Sequence, residues 1–207
     1  MRVERFLTGI ISTNCYLAVN EETKQTVVID PAASSPNLMN HIEAEGLKIE
    51  AILLTHGHFD HIMGIDGFLK KYKVPVYVHE ADRELMNDPK LNQSSSYTAG
   101  YTFSGAEYIH DGQVLHFAGY DFEVFHTPGH TPGCCCFYVR QKGVLFSGDT
   151  LFANSVGRTD FPGSSMSELV RSIREKLMTL PDETRVYPGH MGETAIGHER
   201  VNNPFIQ

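Results

Sequence analysis

Three histidines and one aspartate occur within six positions of the segment THGHFDH at residues 55–61. The four residues before it are all apolar, which predicts that the segment follows a buried strand. In an extended backbone His56 and His58 would point to the same side, whereas Asp60 and His61 would lie beyond the turn. Burying these groups without partners would be costly, and divalent cations would satisfy their acceptor atoms together. The segment could therefore supply ligands to two neighbouring metal ions.

Three further segments place a histidine or an aspartate in a tight turn after a predicted strand. They contain His130 in HTPGHT, Asp149 in FSGDT and His190 in YPGH. Each residue taken alone is an ordinary turn residue. The recurrence of a glycine followed by histidine or aspartate at four strand ends favours one shared site. His126, on the predicted strand itself, is the alternative to His130.

The elements that must position these residues follow from hydrophobic patterning and turn residues. Strands are predicted over residues 2–7, 14–19, 26–29, 49–54, 74–78, 107–109, 114–117, 122–126, 134–139, 144–147 and 185–187. Helices are predicted from the Ser35-Pro36 cap to Gly46, over residues 62–71, 79–86 and 166–177, and after Glu193. Residues 87–104 are predicted to form a loop, and Asp111-Gly112 a hairpin between 107–109 and 114–117. Two blocks of strands, each followed by helices, favour a mixed α/β sandwich in one domain over residues 1–207.

The ordered set HxHxDH at residues 56–61, His130, Asp149 and His190 resembles the metallo-β-lactamase superfamily, and the resemblance covers nearly the whole chain. It implies an αββα sandwich, in which two β-sheets pack face to face between helical layers. It also implies two divalent metal ions, with the ligand sets His56, His58 and His130 for one, Asp60, His61 and His190 for the other, and Asp149 bridging the pair. These ligand types accept zinc, iron or manganese, and we expect zinc.

Within the superfamily, the segments GRTDFP at 157–162, IGHER at 196–200 and NPF at 203–205 resemble the small glyoxalase II-like hydrolases. The resemblance implies hydrolysis of a thioester such as S-D-lactoylglutathione by a hydroxide that two metal ions generate from water near neutral pH. Asp60 is expected to ligate a metal and also to orient the nucleophile or accept its proton. Full-length glyoxalase II has a C-terminal helical region with basic residues that hold glutathione, and this chain stops soon after the last motif. The resemblance therefore supports the reaction class better than a glutathione substrate.

Two interpretations of Arg158 are open. Its guanidinium could bind a substrate carboxylate through two hydrogen bonds, or it could form a local ion pair with Asp160. Tyr138 and Phe161 could each line the pocket or belong to the core.

Two alternative enzymes share this fold and part of the pattern. A persulfide dioxygenase, which has a similar GRTDF segment, would use one iron on the equivalents of His56, His130 and Asp149. The PGH segment at 188–190 is closer to the hydrolases. A lactonase-type metallo-hydrolase is the second alternative. A non-enzymatic binding module would be favoured if ligand residues of the family pattern were missing from the sequence, but all of them are present.

The charge and the apolar content of the sequence limit the classes of partner that the protein is expected to bind. The 207 residues include 17 basic and 25 acidic side chains, a formal charge of −8, which argues against nucleic-acid binding. No apolar run is long enough to cross a membrane, and the N-terminus is a poor signal peptide. We expect a cytoplasmic protein with a small-molecule partner. The four cysteines are expected to be buried apolar residues, with Cys135 facing away from Cys134 and Cys136.

Overall fold

Two six-stranded sheets form the centre of the fold in the computed structural model, which describes residues 1–207. The strands are β1 (Arg2–Thr8), β2 (Thr13–Val19), β3 (Gln25–Ile29), β4 (Lys48–Leu53), β5 (Val76–His79), β6 (Glu107–Ile109), β7 (Val114–Phe117), β8 (Tyr120–His126), β9 (Cys135–Val139), β10 (Val144–Gly148), β11 (Leu151–Phe152), β12 (Ser155–Val156), β13 (Arg185–Pro188) and β14 (Thr194–Ala195). The first sheet has the order β1-β2-β3-β4-β5-β6 and the second the order β14-β13-β10-β9-β8-β7, while β11 and β12 pair separately. Both large sheets are mixed, since β3 to β6 run parallel in the first and β10 and β13 in the second.

Seven short α-helices complete the secondary structure. They are α1 (Pro36–Ala44), α2 (Phe59–Ile62), α3 (Ile65–Leu69), α4 (Arg83–Asn87), α5 (Ser94–Tyr97), α6 (Met166–Ser172) and α7 (Ile196–Asn202). Single 3₁₀ turns occur at Glu80–Asp82 and Arg140–Lys142, and α6 continues into a π-helical turn at Ile173–Leu177. None of these helices is long and apolar enough to cross a membrane.

Three apolar layers separate the sheets and the helices. Between the sheets, side chains such as Leu53 of the first pack with Phe137 of the second. The opposite face of the first sheet packs against Leu38 and Ile42 of α1. Neighbouring residues of one strand enter different layers because side chains alternate across a strand. The layers confirm the predicted sandwich with helices on both outer faces.

The outer layer of the second sheet contains the amphipathic segment predicted over residues 166–177. Leu169, Ile173 and Leu177 are all buried there. The hydroxyl of Ser165 accepts a hydrogen bond from the Glu168 amide at 3.3 Å and caps the helix. The same kind of cap at Ser35 begins α1, so both helix starts lie where the sequence predicts them.

The predicted helix over residues 62–71 is shorter in the structure: α2 already ends at Ile62, the chain turns at Gly64, and α3 covers only Ile65–Leu69. The Gly64 amide donates a hydrogen bond to the Pro31 carbonyl at 2.7 Å. A Cβ at this position would lie 2.4 Å from the same oxygen. The chain therefore turns where a glycine lets two backbones approach, and α2 is left as a short element that holds Asp60 and His61. The predicted helix over 79–86 is likewise a 3₁₀ turn followed by α4, and the predicted loop over 87–104 contains α5.

The hairpin predicted at Asp111-Gly112 is wrong. β6 pairs in parallel with β5 in the first sheet, whereas β7 pairs with β8 in the second. The turn therefore connects the two sheets. The Gly112 amide donates to the Val124 carbonyl at 2.8 Å, which ties the crossing to β8.

The four cysteines are buried and free. Cys135 lies in the layer between the sheets, and Cys136 lies in the outer layer of the second sheet, which confirms that these two face opposite sides. Burial raises the pKa of the Cys136 thiol to about 11. These side chains act as apolar core residues.

Candidate metal centre

The predicted ligands converge because four strands end at the same edge of the sandwich. His56 and His58 follow β4, and Asp60 and His61 occupy the first turn of α2. His130 lies in the loop after β8, Asp149 directly follows β10, and His190 is the second residue after β13. All but His190 are almost fully buried.

One group consists of His56, His58 and His130. One side-chain nitrogen from each lies within 4.8 Å of the others. Nδ1 of His58 and Nε2 of His130 are 2.9 Å apart. Burial lowers the pKa of His56 and of His58 well below the usual value, so both are neutral, the form in which an imidazole binds a metal.

The second group consists of Asp60, His61 and His190. Oδ2 of Asp60 lies 3.3 Å from Nε2 of His61 and 3.2 Å from Nε2 of His190. Burial acts to lower the pKa of both histidines, but the neighbouring carboxylates outweigh it and raise both values.

Asp149 lies between the two groups. Its Oδ1 is 3.5 Å from Nε2 of His61, and its Oδ2 is 3.6 Å from Nε2 of His130 and 3.5 Å from Nε2 of His190. The carboxylate thus reaches ligands of both groups, as a bridging residue would.

The donor atoms fit a pair of metal ions. Nε2 of His56, Nε2 of His61 and Oδ1 of Asp149 are buried and have no hydrogen-bond partner within the protein. Buried polar atoms without partners are rare and call for an ion or water. Imidazole nitrogens and carboxylate oxygens are the ligands that zinc, iron and manganese accept.

Hydrogen bonds to residues outside the two groups fix the orientation of the candidate ligands. Nδ1 of His61 donates to Oδ2 of Asp30 at 2.9 Å, and Nδ1 of His130 donates to the Arg158 carbonyl at 2.7 Å. Each bond leaves Nε2 of the same ring facing the centre. The Thr13 hydroxyl donates to Oδ2 of Asp60 at 2.8 Å.

Asp30 is absent from the ligand set predicted from the sequence, although it also directly follows a strand. It is buried at a positive φ of 51° and accepts hydrogen bonds from the Thr55 amide at 2.8 Å and the Thr55 hydroxyl at 2.6 Å. Together with its bond to His61, these contacts hold both ends of the 55–61 segment. In the sequence, this role of Asp30 is indicated by its position at the end of a strand and directly before a proline.

His126 does not join the cluster. Its Nε2 donates to the Pro132 carbonyl at 2.8 Å, and its ring stacks on His79 with centroids 3.9 Å apart. The structure therefore brings His130, and not His126, to the other ligands.

A cavity of about 360 Å³ opens over the two groups. His58, Asp60, His130, Asp149 and His190 form its floor, and Arg158 and Phe161 lie in its wall. Tyr138 is instead buried in the outer layer of the second sheet.

The Arg158 guanidinium makes two contacts with the Asp160 carboxylate, at 2.6 and 2.5 Å, and both side chains are exposed. It also lies 4.4 Å from the centre of the Phe161 ring. The local ion pair is thus present, at the wall of the cavity, where a substrate carboxylate would compete with Asp160.

Comparison with known proteins gives similarity along the whole chain. Residues 8–190 match the model of a family described as the metallo-beta-lactamase superfamily. The probable metallo-hydrolase YqgX of Bacillus subtilis is 36% identical over 208 residues, covering 100% of this chain and 98% of that protein. The hydroxyacylglutathione hydrolase GloC of Haemophilus influenzae is 34% identical over 209 residues, covering 100% and 98%.

Solved structures agree in fold. The BLEG-1 B3 metallo-beta-lactamase superposes with a TM-score of 0.93 at 39% identity, with 100% of both chains covered. TTHA1623 in a di-iron-bound form gives 0.87 at 35% identity, covering 98% of this chain and 99% of that one. ETHE1 from Myxococcus xanthus gives 0.80 at 29% identity, covering 99% and 84%.

Proposed function

The chain belongs to the metallo-beta-lactamase superfamily, and on that premise we propose that it is a metal-dependent hydrolase that cleaves an acyl thioester such as S-D-lactoylglutathione. The observation that supports the proposal best is the complete set of seven ligand residues in two adjacent groups beneath an open cavity. The full-length similarity to a protein named hydroxyacylglutathione hydrolase supports the thioester class.

In this proposal one metal ion is held by His56, His58 and His130, and the other by Asp60, His61 and His190, with Asp149 between them. We propose zinc as the native metal. When bound, such a pair polarises a carbonyl oxygen and lowers the pKa of a water molecule.

The residues of the chain position the reactants. Asp60 faces the cavity, and the Thr13 hydroxyl fixes its Oδ2, so its carboxylate can orient the attacking water and accept its proton. Arg158, released from Asp160, can receive a substrate carboxylate at the cavity wall. Phe161 stands against the His58 ring at 4.9 Å and covers one side of the centre.

Metal content and an activity assay test the proposal together. The purified protein is expected to contain two divalent ions per chain and to hydrolyse S-D-lactoylglutathione without consuming oxygen. A protein that binds two metals but cleaves no thioester contradicts the assigned reaction.

A mononuclear-iron persulfide dioxygenase is the second candidate, favoured by the GRTDF segment at residues 157–161. It would need only His56, His130 and Asp149. One iron per chain, with oxygen uptake on a persulfide, would establish it in place of the hydrolase.

A further inference from the structure

Large apolar side chains are exposed around the mouth of the cavity. Ile11, Tyr97 and Met191 line it with 41%, 54% and 57% of their surface exposed. Ile10, in the same turn as Ile11, is 57% exposed. Single exposed apolar residues are ordinary, but a group of them next to a functional cavity marks a binding surface.

The wall between the mouth and the metal ligands is also apolar. Phe59, Phe152 and Val156 line the cavity and are themselves almost fully buried. Phe161 continues this wall down to the His58 ring. An apolar surface therefore runs from the metal ligands to solvent.

Lysine and arginine side chains are scarce in the cavity lining. Arg158 is the only lysine or arginine that lines it, and its guanidinium is shared with Asp160. Glutathione has two carboxylates and an ammonium group, and each needs polar partners when it leaves water. Besides Arg158 and the candidate metal ligands, the lining offers only the neutral polar groups of Gln93, Tyr97 and Ser155, so the charged groups of glutathione would find few partners there.

We propose, on the basis of the thioester hydrolase function above, that the substrate is a thioester whose thiol arm is apolar, aliphatic or aromatic, and bears one carboxylate. The carbonyl lies over the metal ligands, the arm lies along Ile11, Tyr97 and Met191, and Arg158 pairs with the carboxylate. Water adds its oxygen to the carbonyl carbon, the carbon–sulfur bond breaks, and a carboxylate, a thiol and a proton are released. A cavity of about 360 Å³ suits such a small molecule.

Two thioesters of D-lactate separate this proposal from the proposed function. One is S-D-lactoylglutathione, and the other is the thioester of 4-(mercaptomethyl)benzoate, which has an aromatic arm and one carboxylate. We expect kcat/KM to be higher for the aromatic thioester by at least about tenfold, the discrimination typical of an apolar pocket. An equal or higher kcat/KM for S-D-lactoylglutathione overturns the substrate class and leaves the hydrolase function standing. If the two-metal protein hydrolyses neither compound, both the substrate class and the hydrolase function are overturned.

Variants at the mouth provide the second arm of the test. Ile11→Asn and Met191→Gln are expected to reduce the ratio of kcat/KM for the aromatic thioester to kcat/KM for S-D-lactoylglutathione by about tenfold. Val201→Asn is the matched control, because Val201 is 72% exposed on α7 and does not line the cavity. An unchanged ratio in both mouth variants, or an equal fall in the control, contradicts the proposal.

An independent observation concerns the buried carboxylate of Asp82, in the 3₁₀ turn after β5. Its Oδ2 accepts hydrogen bonds from the Gly57 amide and the Thr131 hydroxyl, both at 2.9 Å. Its Oδ1 accepts one from the Gly133 amide at 2.6 Å. All three partners are hydrogen-bond donors, as the two oxygens of an ionised carboxylate require.

These partners belong to the two loops that hold the first ligand group. Gly57 lies between His56 and His58, and Thr131 directly follows His130. A Cβ on Gly133 would lie 2.5 Å from the Asp82 amide nitrogen and 2.6 Å from its Cγ, so the close approach requires a glycine. Asp82 does not line the cavity.

We infer that Asp82 is a positioning residue for the first metal ion. It joins the 55–61 segment to the loop after β8, so that His56, His58 and His130 keep their mutual distances without the metal having to organise them. Partners behind metal ligands commonly change metal affinity by about 10- to 100-fold when they are removed.

Asp82→Asn tests the inference, because its NH₂ group must face at least one N–H or O–H donor. We expect the affinity for one of the two metals to fall by about 10- to 100-fold, measured by competition with a chelator. The absorption spectrum of the cobalt-substituted protein should change in the same way as for His58→Ala. Thr131→Val should give a smaller loss, which Thr131→Ser restores.

Glu199→Gln is the matched control. Glu199 is equally buried and accepts hydrogen bonds from the Asn154 amide and the side chains of Thr194 and Asn203, so its loss should lower Tm without changing metal affinity. Wild-type affinity for both metals in Asp82→Asn, or an equal loss in Glu199→Gln, overturns the inference.

Discussion

Gly189 lies where any side chain would disturb Asp149 and His61. A Cβ built on it would be 2.3 Å from Oδ1 of Asp149 and 2.7 Å from Cε1 of His61. Ordinary contacts of a Cβ begin at 3.4 Å, so Gly189→Ala requires a displacement of about 1 Å between the new methyl group and Asp149.

The backbone cannot take up this displacement easily. The Gly189 amide donates to the Gly148 carbonyl, and its own carbonyl accepts from the Asn14 amide, both at 2.8 Å. The side chains of Asp149 and His61 must therefore move instead. Metal–ligand distances tolerate about 0.2 Å, and a misplacement of about 1 Å in an active site costs about 100-fold in rate.

Gly189→Ala is expected to lose metal and to lower kcat/KM by about 100-fold. Metal per chain is measured by mass spectrometry, and thioester hydrolysis gives the rate. Gly192→Ala, three residues further in the same loop, is the control, because no atom lies within 4 Å of its added Cβ. Wild-type metal content and activity in Gly189→Ala would refute the reasoning from these distances.

Three further outcomes are expected. His58→Ala should abolish turnover while far-UV circular dichroism shows a folded protein, and retained activity would remove the proposed site. Chelation of the metals should abolish activity and lower Tm, with both restored by reloading, because ligands that bind only the folded state stabilise it. Burial, assisted by the stacked His126, lowers the pKa of His79 to about 4. Between about pH 6.5 and 4 the unfolded chain then binds more protons at this position. The contribution of His79 to the free energy of unfolding should therefore fall as the pH falls through this range. Urea denaturation of wild type and His79→Phe checks this, and equal pH slopes would contradict it.

The residues that converge in the cluster could be predicted because the pattern that identifies them is local. His56, His58, Asp60 and His61 share one short segment, and each of the remaining three follows a glycine at or shortly after the end of a strand. The amphipathic helix over 166–177 was predictable for the same reason, since its apolar stripe repeats with the helical period.

The errors concern features that depend on distant residues. Asp111-Gly112 has the composition of a hairpin turn, but pairing of β6 with β5 and of β7 with β8 sends its two flanking strands into different sheets. Asp30 and Asp82 are single acids in sequence. Their roles become visible only when the fold brings Thr55, Gly57 and their other donors to them.

The charges around the centre favour bound cations. Asp30, Asp60 and Asp149 are all at most 7% exposed, and no lysine or arginine forms an ion pair with any of them. Burial lowers the pKa of His56 and of His58, so these two imidazoles are neutral. Buried carboxylates without counter-charge are costly, and divalent ions held among the candidate ligands would supply that charge. Without a metal ion the compensating charge has to come from protons on His61 and His190, whose pKa values the carboxylates raise. The charge balance therefore supports the assignment of this cluster as a metal centre.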